Sequence, residues 1–194
     1  MSARALRRLL LLAALAMPAA ASAQFNPLGV IGRAVSTAMD ARTTAEVAAD
    51  AEIGAGASKR LLEDPQAEWK GVNVLVFARH VVLAGAVKSA EARKRVEEVM
   101  RRDKGIRSLK NELRVGDVGS LVRDTALEAE INATLTGTSG VASVNMRWNA
   151  TGGQVVLMGL ARSKQEADLA LSAVRDVKGV KNVKTHLRIV EPKK

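Results

Sequence analysis

The chain has 194 residues, of which 47% are hydrophobic and only 2% aromatic, and its formal net charge is +10 at pH 7. The absence of cysteine excludes disulfides, thiol catalysis, cysteine-ligated metals and the acylated cysteine of a bacterial lipoprotein. The positive charge favours an anionic partner such as a phospholipid surface or a nucleic acid.

Residues 1–23 have the three parts of a cleavable signal peptide. A basic start precedes the apolar run Leu9–Ala16, and the small-residue cleavage site Ala21–Ala23 follows. The alternative is a retained anchor, but the apolar run is too short to span a bilayer. We therefore expect a soluble periplasmic protein, and export argues against a nucleic-acid partner.

The rest of the chain divides into segments by composition and by its turn residues. A short helix is possible within the first of them, at Ile31–Met39. The predicted segments are a leader at 24–49, a first module at 50–115, a linker at 116–120, a second module at 121–190 and a polar tail at 191–194.

The first helix of each module is predicted by apolar residues that recur every four positions. Gly54 and Gly56 interrupt the first of these helices, which favours a short or frayed helix over a close backbone contact. Asp124 is a plausible N-cap for the second. The apolar stripes are Ile53, Ala57 and Leu61 in the first module, and Leu127, Ile131 and Leu135 in the second.

Each first helix is followed by a predicted hairpin of two strands. Aligning Val144 with Val72 makes the second hairpin loop two residues longer than the first. We expect Gly85 and Gly159, at the end of each second strand, to let the chain bend closely under a helix. The predicted strand pairs are Val72–Phe77 with Val81–Leu83, and Val144–Asn149 with Val155–Leu157.

The second helix of each module has clear boundaries. Ser89 caps the first copy, and Ser163 with Glu166 forms a capping box in the second. Gly105 and Gly179 are predicted at the C′ positions where these helices stop. The last strands, Ile106–Val115 and Val180–Val190, follow with apolar residues of one parity, which predicts one buried and one solvent-facing side for each sheet.

The two modules are copies of one unit. His80–Val115 and Gln154–Ile189 align without a gap, and the offset from Gly85 to Gly159 is 74 residues. The sequence therefore predicts an α+β fold with two αββαβ modules in tandem, each a three-stranded sheet with two helices on one face.

These motifs resemble the BON domain, a small module of the bacterial envelope. The matching residues are Val81–Val87 and Gly105–Val115, with second copies that include Gly159 and Gly179. The resemblance to tandem-BON periplasmic proteins implies binding to phospholipid surfaces and a part in envelope integrity or stress tolerance. It also implies a lipid-binding role for the first helix of the second domain.

In this chain that helix is Asp124–Leu135, and the positions equivalent to the family's lipid site include Ala126 and Glu130. Ala126 stands where an aromatic residue would be useful to the site. Glu128 and Glu130 are expected on the surface of the helix, where carboxylates repel anionic headgroups.

A basic stripe in the first module is a second candidate site for anionic lipid. Its alternative is a solvated helix face, since acidic residues interrupt it. Trp148 is a candidate interfacial anchor, with packing in the core or hairpin as the default. The stripe comprises Lys88, Arg93, Lys94, Arg101, Arg102, Lys104, Arg107 and Lys110.

Catalysis has little support in the sequence. The histidines are His80, in a predicted turn, and His186, in the last strand, and no cysteine or clustered carboxylate accompanies them. We predict no catalytic residue, no metal and no cofactor. The leading hypothesis is a non-enzymatic protein that binds anionic envelope surfaces. The alternative is a chaperone-like adaptor whose exposed edge strands pair with envelope proteins.

Overall fold

The computed structural model describes residues 40–67, 69–117 and 119–190. The predicted signal peptide, the possible leader helix Ile31–Met39 and the predicted tail lie outside the described residues. The described chain has an α+β fold of two modules, each with two helices and one sheet, which confirms the predicted fold class. None of the described helices is long and apolar enough to cross a membrane.

The first module comprises α1 (Thr44–Glu63), β1 (Val72–Phe77), β2 (His80–Val87), α2 (Ala90–Arg101), β3 (Ser108–Asn111) and β4 (Arg114–Val115). The second comprises α3 (Leu121–Gly137), β5 (Met146–Thr151), β6 (Gln154–Ala161), α4 (Lys164–Arg175) and β7 (Asn182–Ile189). In both modules the hairpin is antiparallel, and its second strand pairs in parallel with the last strand. The central strands are therefore β2 and β6.

The first helix, α1, begins before the predicted start of the module and is continuous. Thr43 caps it in a reciprocal capping box with Glu46. The helix passes through Gly54 and Gly56 without a break, so the prediction of a short or frayed helix is wrong. Its apolar stripe is buried in the module core, and this packing outweighs the roughly 1–2 kcal/mol that two glycines cost.

The other helix ends confirm the predicted serine caps and correct two predictions about acidic residues. Ser89 and Ser163 accept hydrogen bonds from amides at the starts of α2 and α4. The N-cap residue of α3 is Ser120, so the prediction that Asp124 caps this helix is wrong. Asp124 lies inside the helix, where its carboxylate accepts a hydrogen bond from the Gly152 amide at 2.9 Å. The Glu166 carboxylate accepts from amides other than that of Ser163, so the predicted capping box is half formed.

The predicted C′ glycines are also placed differently. The helices α2 and α4 end at Arg101 and Arg175, so Gly105 and Gly179 lie beyond the C′ positions, in the loops that lead into the last strands. The C-cap residues are Arg102 and Asp176 instead.

The two hairpins have turns of equal length. Ala78 and Arg79 form the first turn, and Gly152 and Gly153 form the second. The predicted longer loop is wrong because the second hairpin begins at Met146, which pairs with Gly159 as Val72 pairs with Gly85. The 74-residue offset therefore holds through the hairpins.

Gly85 and Gly159 allow backbone segments to approach closely. A Cβ on Gly85 would lie 2.0 Å from the Gly71 carbonyl oxygen, and one on Gly159 would lie 2.0 Å from that of Asn145. The need for glycine is as predicted, but the close neighbour is the chain that enters the adjacent strand and not a helix. Both residues also have positive φ, which disfavours side chains.

The last strand is continuous in the second module and divided in the first, where one continuous strand was predicted. Glu112 and Leu113 separate β3 from β4. The Leu113 amide bonds to the Asn111 side chain at 3.2 Å, which takes it out of the ladder. The Glu112 amide still donates to Leu83 at 2.8 Å, so the interruption is local.

Each module has its own apolar core between its helices and its sheet. In the first, the stripe of α1 and residues of α2 pack on the face of the sheet that carries Val81 and Leu83. In the second, α3 and α4 pack on the face that carries Val155 and Leu157. Two separate cores agree with duplication of one folding unit.

A third apolar core packs the two sheets back to back. The predicted solvent-facing side of each sheet is therefore wrong, because that side faces the sheet of the other module. The continuous apolar runs of β2 and β6 are the sequence signal for burial on both faces. The third core contains Leu75, Phe77, Ala78, Val82 and Ala84 from the first hairpin, and Val156, Met158 and Leu160 from β6.

The segment before α1 closes one side of this junction. The Ala41 amide donates to the Asn145 side chain of the second module at 2.8 Å. Arg42 is buried, pairs with Asp50 at 2.9 Å and lies 4.4 Å from the centroid of the Phe77 ring. Residues assigned to the leader therefore form part of the contact between the modules.

Candidate functional site

Several residues of the predicted basic stripe are held by local contacts along α2. The pairs are Arg93 with the Asn111 carbonyl at 3.0 Å, Lys94 with Glu98 at 3.9 Å and Arg101 with Glu97 at 2.5 Å. These side chains are exposed and follow the helix surface, as in the alternative of a solvated face. Lys88 is also exposed, in the turn before α2.

The remaining stripe residues differ from these. Arg102, Lys104, Arg107 and Lys110 are exposed, and their side chains make no hydrogen bond or ion pair with any residue in the described ranges. The nearby carboxylate of Asp103 is already bound to Arg60 and to the Gly105 amide. The segment from 102 to 110 therefore presents four cations that form no ion pair with the described residues, and we call it the cationic segment. Arg107 does help to lower the pKa of the Glu46 carboxyl through its charge.

The cationic segment lies at one end of the molecule. The Arg107 amide donates to the Arg79 carbonyl at 2.7 Å, which places the segment beside the β1–β2 turn. At the far end of the same sheet, Arg114 donates to the Thr151 carbonyl at 3.3 Å, beside the β5–β6 turn. The two hairpin turns are therefore at opposite ends of the back-to-back sheets.

The opposite end carries the helix that the family resemblance singled out. Ala126 and Glu130 of α3 are exposed and line an open cavity of about 410 Å³ between α3, the β5–β6 turn and the loop before β7. Three cationic side chains share this cavity with the carboxylates of Asp124 and Glu130. They are Arg123, Lys178 and Lys181. Opposite charges are thus mixed at this end.

Glu128 is not a surface carboxylate as predicted. It is half-buried, and its carboxylate accepts from the Asn149 side chain at 2.8 Å and from the Ala150 amide at 2.9 Å. Burial raises the pKa of Glu128 despite these hydrogen bonds. The Ala150 amide on the edge strand β5 is consequently not open to pairing with an added strand, the contact on which the chaperone-like alternative depends.

Trp148 lies against the core of the second module. Its ring is half-buried among the apolar side chains under α3, and its Nε1 donates to the Glu128 carbonyl at 3.3 Å. This is the packing position that the sequence offered as the default. The side chain is not presented as a free interfacial anchor.

The two histidines lie at the junction between modules and make different contacts. His186 Nε2 lies 2.9 Å from the Glu112 carboxylate, which Lys184 also binds at 2.6 Å. Glu112 and His186 are equivalent under the 74-residue offset, so they meet near an approximate two-fold axis between the modules. His80 Nδ1 lies 2.5 Å from the Ser108 hydroxyl, and its Nε2 is buried without a partner in the described structure.

Two of the polar residues that organise the junction were not predicted, Arg188 and Glu112. Arg188 is half-buried at the end of β7, and its Nη2 has no hydrogen-bond partner among the described residues. The alternation in β7 could have placed Lys184, His186 and Arg188 on one face. Their neighbours could not be inferred, because the back-to-back contact was not expected.

No group of three or more His, Cys, Asp or Glu side chains in the described residues is arranged to hold a metal ion. The candidate sites are therefore charged surfaces. The cationic segment lies at one end of the molecule, the cavity with mixed charges lies at the other end, and polar residues line the junction between the modules.

Two αββαβ modules that repeat at a fixed offset and share a back-to-back contact define a tandem small-domain protein. The BON domain matches residues 49–117 and 123–191, which together make up most of the chain. The chain belongs to the BON-domain family.

Two relatives are similar over most of their lengths. The chain is 31% identical over 129 residues to the protein in the gshII 5′ region of Anaplasma centrale, covering 64% of this chain and 85% of that protein. It is 29% identical over 144 residues to osmotically-inducible protein Y of Escherichia coli (strain K12), covering 72% of each.

Among solved structures, CdsD, a structural protein of the type III secretion system of Chlamydia trachomatis, matches with a TM-score of 0.32 and 14% identity. That match covers 71% of this chain, and the chain spans 63% of that structure.

Proposed function

We propose that this protein is exported to the periplasm and attaches reversibly to anionic phospholipid surfaces through the cationic segment, contributing to tolerance of osmotic stress. The relative named osmotically-inducible protein Y supports the stress role. The observation that carries the lipid proposal is the presence of four exposed cations in residues 102–110 whose side chains form no ion pair or hydrogen bond with the described residues.

The strength of the interaction follows from the number of cations. Each lysine or arginine near an anionic leaflet contributes about 1 kcal/mol. Four such residues contribute about 4 kcal/mol, which changes a binding constant by roughly a thousandfold. Such binding is reversible and sensitive to salt, because exposed charges are screened at high ionic strength.

The cationic segment is a better candidate than the opposite end of the molecule. The cavity beside α3 has three cations, but the carboxylates of Asp124 and Glu130 lie among them. Carboxylates at that end oppose contact with an anionic leaflet. At the first end, the one nearby carboxylate in the segment, Asp103, is neutralised by Arg60.

Flotation with liposomes tests this function. We expect the protein to float with phosphatidylcholine vesicles that contain phosphatidylglycerol, and not with phosphatidylcholine alone, at low salt. The triple substitution Arg102→Gln, Lys104→Gln and Lys110→Gln is expected to weaken flotation by a hundredfold or more, on the scale of about 1 kcal/mol per cation.

The matched control removes the same charge from the other end through Arg123→Gln, Lys178→Gln and Lys181→Gln. This variant is expected to bind nearly as well as the wild type. Equal losses in the two variants would assign binding to net charge alone, and no flotation in either lipid mixture would refute the lipid proposal.

A further inference from the structure

The junction between the modules contains a cluster of cationic and imidazole groups that the proposed lipid contact does not use. His80 begins β2, and its neighbour in the register is Ser108 of β3, which follows Arg107. Arg188 comes from β7 of the other module and is equivalent to Arg114, which reaches the residue before the β5–β6 turn, so the repeat places Arg188 beside the β1–β2 turn that precedes His80. The cluster is therefore built from three strands and from both copies of the repeat.

Two nitrogen atoms in this cluster lack partners. His80 Nε2 and Arg188 Nη2 are both buried, and neither makes a hydrogen bond within the described part of the chain. The Arg107 side chain, at the exposed edge of the cluster, also has no hydrogen-bond or ion-pair partner in the described ranges. Buried polar groups are almost always satisfied, so these donors indicate a missing acceptor.

The nearby carboxylates do not supply that acceptor. The Asp50 carboxylate accepts from Arg42 and from the Ala78 and Arg79 amides. Glu46 is held in the capping box with Thr43. The charges of Glu46 and Asp50 act on the cluster, but the hydrogen bonds of both carboxylates go to other donors.

The electrostatics of the cluster agree with this geometry. Burial, together with the charges of Arg188 and Arg107, holds the pKa of His80 below its usual value, although Asp50 opposes the shift. Burial and the charge of Arg107 likewise lower the pKa of Arg188, although Glu46 and Asp50 oppose the shift. An arginine does not lose its proton in practice, so its charge is stabilised only by an anion or by water.

The equivalent corner of the second module lacks this combination. Gln154, Lys181 and Arg114 occupy the positions of His80, Arg107 and Arg188. Arg114 uses its terminal nitrogen to bind the Thr151 carbonyl. The Arg114 Nε is also buried without a partner among the described residues, so the histidine is what distinguishes the first corner from the second.

We propose that His80, Arg107 and Arg188 form a binding site for a phosphate-type oxyanion at the junction of the two modules. The ligand is either a free phosphate or the phosphoryl group of a lipid headgroup. Arginine donates to such oxygens in a planar fork. When the Ser108 hydroxyl donates to His80 Nδ1, Nε2 carries the proton and is a donor to the same anion.

The site does not depend on the proposed membrane attachment, because it is built from the junction and because Arg107 remains in the triple variant used for flotation. A soluble anion bound there would also link the two modules, since its ligands come from both. Bound anion is therefore expected to stabilise the folded state.

The two histidines of the sequence provide the experiment. The ring signals of His80 and His186 are followed by NMR during a pH titration of the full mature chain, with inorganic phosphate or with chloride at equal ionic strength. Phosphate is expected to raise the pKa of His80 saturably, because a bound anion favours the imidazolium. The ring signals of His186, which lies against Glu112 and outside this cluster, serve as the internal control.

Matched variants assign the effect to the site. Arg188→Gln and Arg107→Gln are expected to weaken phosphate binding about tenfold or more, since each removes a charge-assisted donor. Lys181→Gln removes the same charge at the equivalent corner and is expected to bind phosphate as the wild type does. The free energy of unfolding of Arg188→Gln, measured without phosphate, is expected to be no lower than that of the wild type, which shows that the variant folds.

A second arm distinguishes the two sources of the anion. A shift of His80 with free phosphate assigns a soluble oxyanion. A shift that needs phosphatidylglycerol vesicles, and is lost in Arg188→Gln, assigns a headgroup. If neither addition moves His80 beyond the chloride control, or if Arg188→Gln titrates as the wild type does, the proposal is overturned. Loss of flotation in the triple variant with an unchanged His80 response separates this site from the membrane proposal.

Discussion

Asp50 and Asp124 are equivalent residues that stabilise the hairpin turn of their own module. Asp50 is fully buried, and it accepts from both turn amides, those of Ala78 and Arg79, at 2.7 Å. These two residues have positive φ, which costs about 1–2 kcal/mol each outside glycine. The carboxylate of Asp50 thus holds a strained turn together, and it pairs with Arg42 as well.

In the second module, Asp124 binds a turn that is not strained. Its turn is made of glycines, which adopt positive φ without strain, and its carboxylate accepts from the Gly152 amide alone. We therefore expect Asp50→Ala to lower the free energy of unfolding by about 3 kcal/mol, and Asp124→Ala by about 1 kcal/mol. Urea unfolding of the two variants measures the difference, and equal losses would refute this account of the turns.

At the scale of the residue, the sequence predicted roles that depend on local contacts better than roles that depend on a partner distant in the chain. Ser89 and Ser163 were recognisable as caps because capping is a local property. Asp124 was misassigned as a cap because its partner, Gly152, is distant in sequence. Arg188 was not singled out because its strand was predicted to have one solvent-facing side. The neighbouring residues in the sequence give no sign that this side contacts the other module.

At the scale of the element, glycine is structurally required at some positions of the strands and not at others in the helices. Gly85 and Gly159 approach backbone carbonyls so closely that any Cβ would overlap them. Gly54 lies inside α1, and a Cβ at this position would have no neighbour within 4 Å, so its lack of a side chain serves no contact. The same type is therefore required in the strands and dispensable in the helix.

These differences give a matched set of substitutions. Gly85→Ala and Gly159→Ala are each expected to destabilise the protein by about 3 kcal/mol or more, because the backbone must move to admit a methyl group. Gly54→Ala is expected to stabilise it by about 0.5–1 kcal/mol through helix propensity. Thermal unfolding tests both signs, and a stable Gly159→Ala variant would contradict the close approach.

The secondary structure was predictable where the pattern of apolar residues was strong. The helices α2 and α4 and the strands β2 and β6 were found near their predicted positions, since their apolar periods are regular. The hairpin length was mispredicted because Val144-Asn145 resembles Val72-Asn73 in sequence, whereas pairing with the central strand sets the register. The division of the last strand depends on one side chain, Asn111, and has no periodic signal.

At the scale of the whole molecule, the modules are joined by an apolar core and by several polar contacts, one of which is centred on Glu112. Glu112 binds Lys184 and His186 of the other module. Burial alone would raise the pKa of Glu112, but the hydrogen bonds from Lys184 and His186 outweigh it and hold the pKa below its usual value. The bridge therefore stabilises the folded state when Glu112 is ionised.

The pH dependence of this bridge follows from the lowered pKa. Its contribution is complete above the pKa of an unfolded glutamate, about 4.3, and is lost as the pH falls through the lower folded value. Glu112→Gln is expected to lose about 0.5–1 kcal/mol of unfolding free energy at pH 7, since Lys184 is partly exposed, and to match the wild type at low pH.

The control for this variant is Lys94→Gln. It removes a pair with Glu98 inside α2, and it is expected to change stability by less than about 0.5 kcal/mol at either pH. Urea unfolding at the two pH values measures both variants. A loss in Glu112→Gln that persists at low pH would show that the carboxylate charge is not responsible.

The solvent-facing side predicted for each sheet was wrong, and this error concealed the contact between the modules. One apolar face per sheet was taken from Leu109, Leu113 and Val115 of the last strand, which is an edge strand. The central strands had the contrary pattern, with apolar residues at both parities. Because the back-to-back contact was missed, the proposed junction site of His80, Arg107 and Arg188 could not be predicted. The residues of the cationic segment belong to the basic stripe, which the sequence offers as a candidate site and which remains a prediction.

The contact between the sheets is the claim on which the junction site and the opposite placement of the two hairpin turns depend. Nuclear Overhauser effects between methyl groups test it most directly, with selectively labelled Leu75 and Val82 in the first module and Val156 and Leu160 in the second. The structure predicts cross-module effects among these methyls and their protection from a soluble paramagnetic probe. Strong broadening by the probe, without any cross-module effect, would contradict the account.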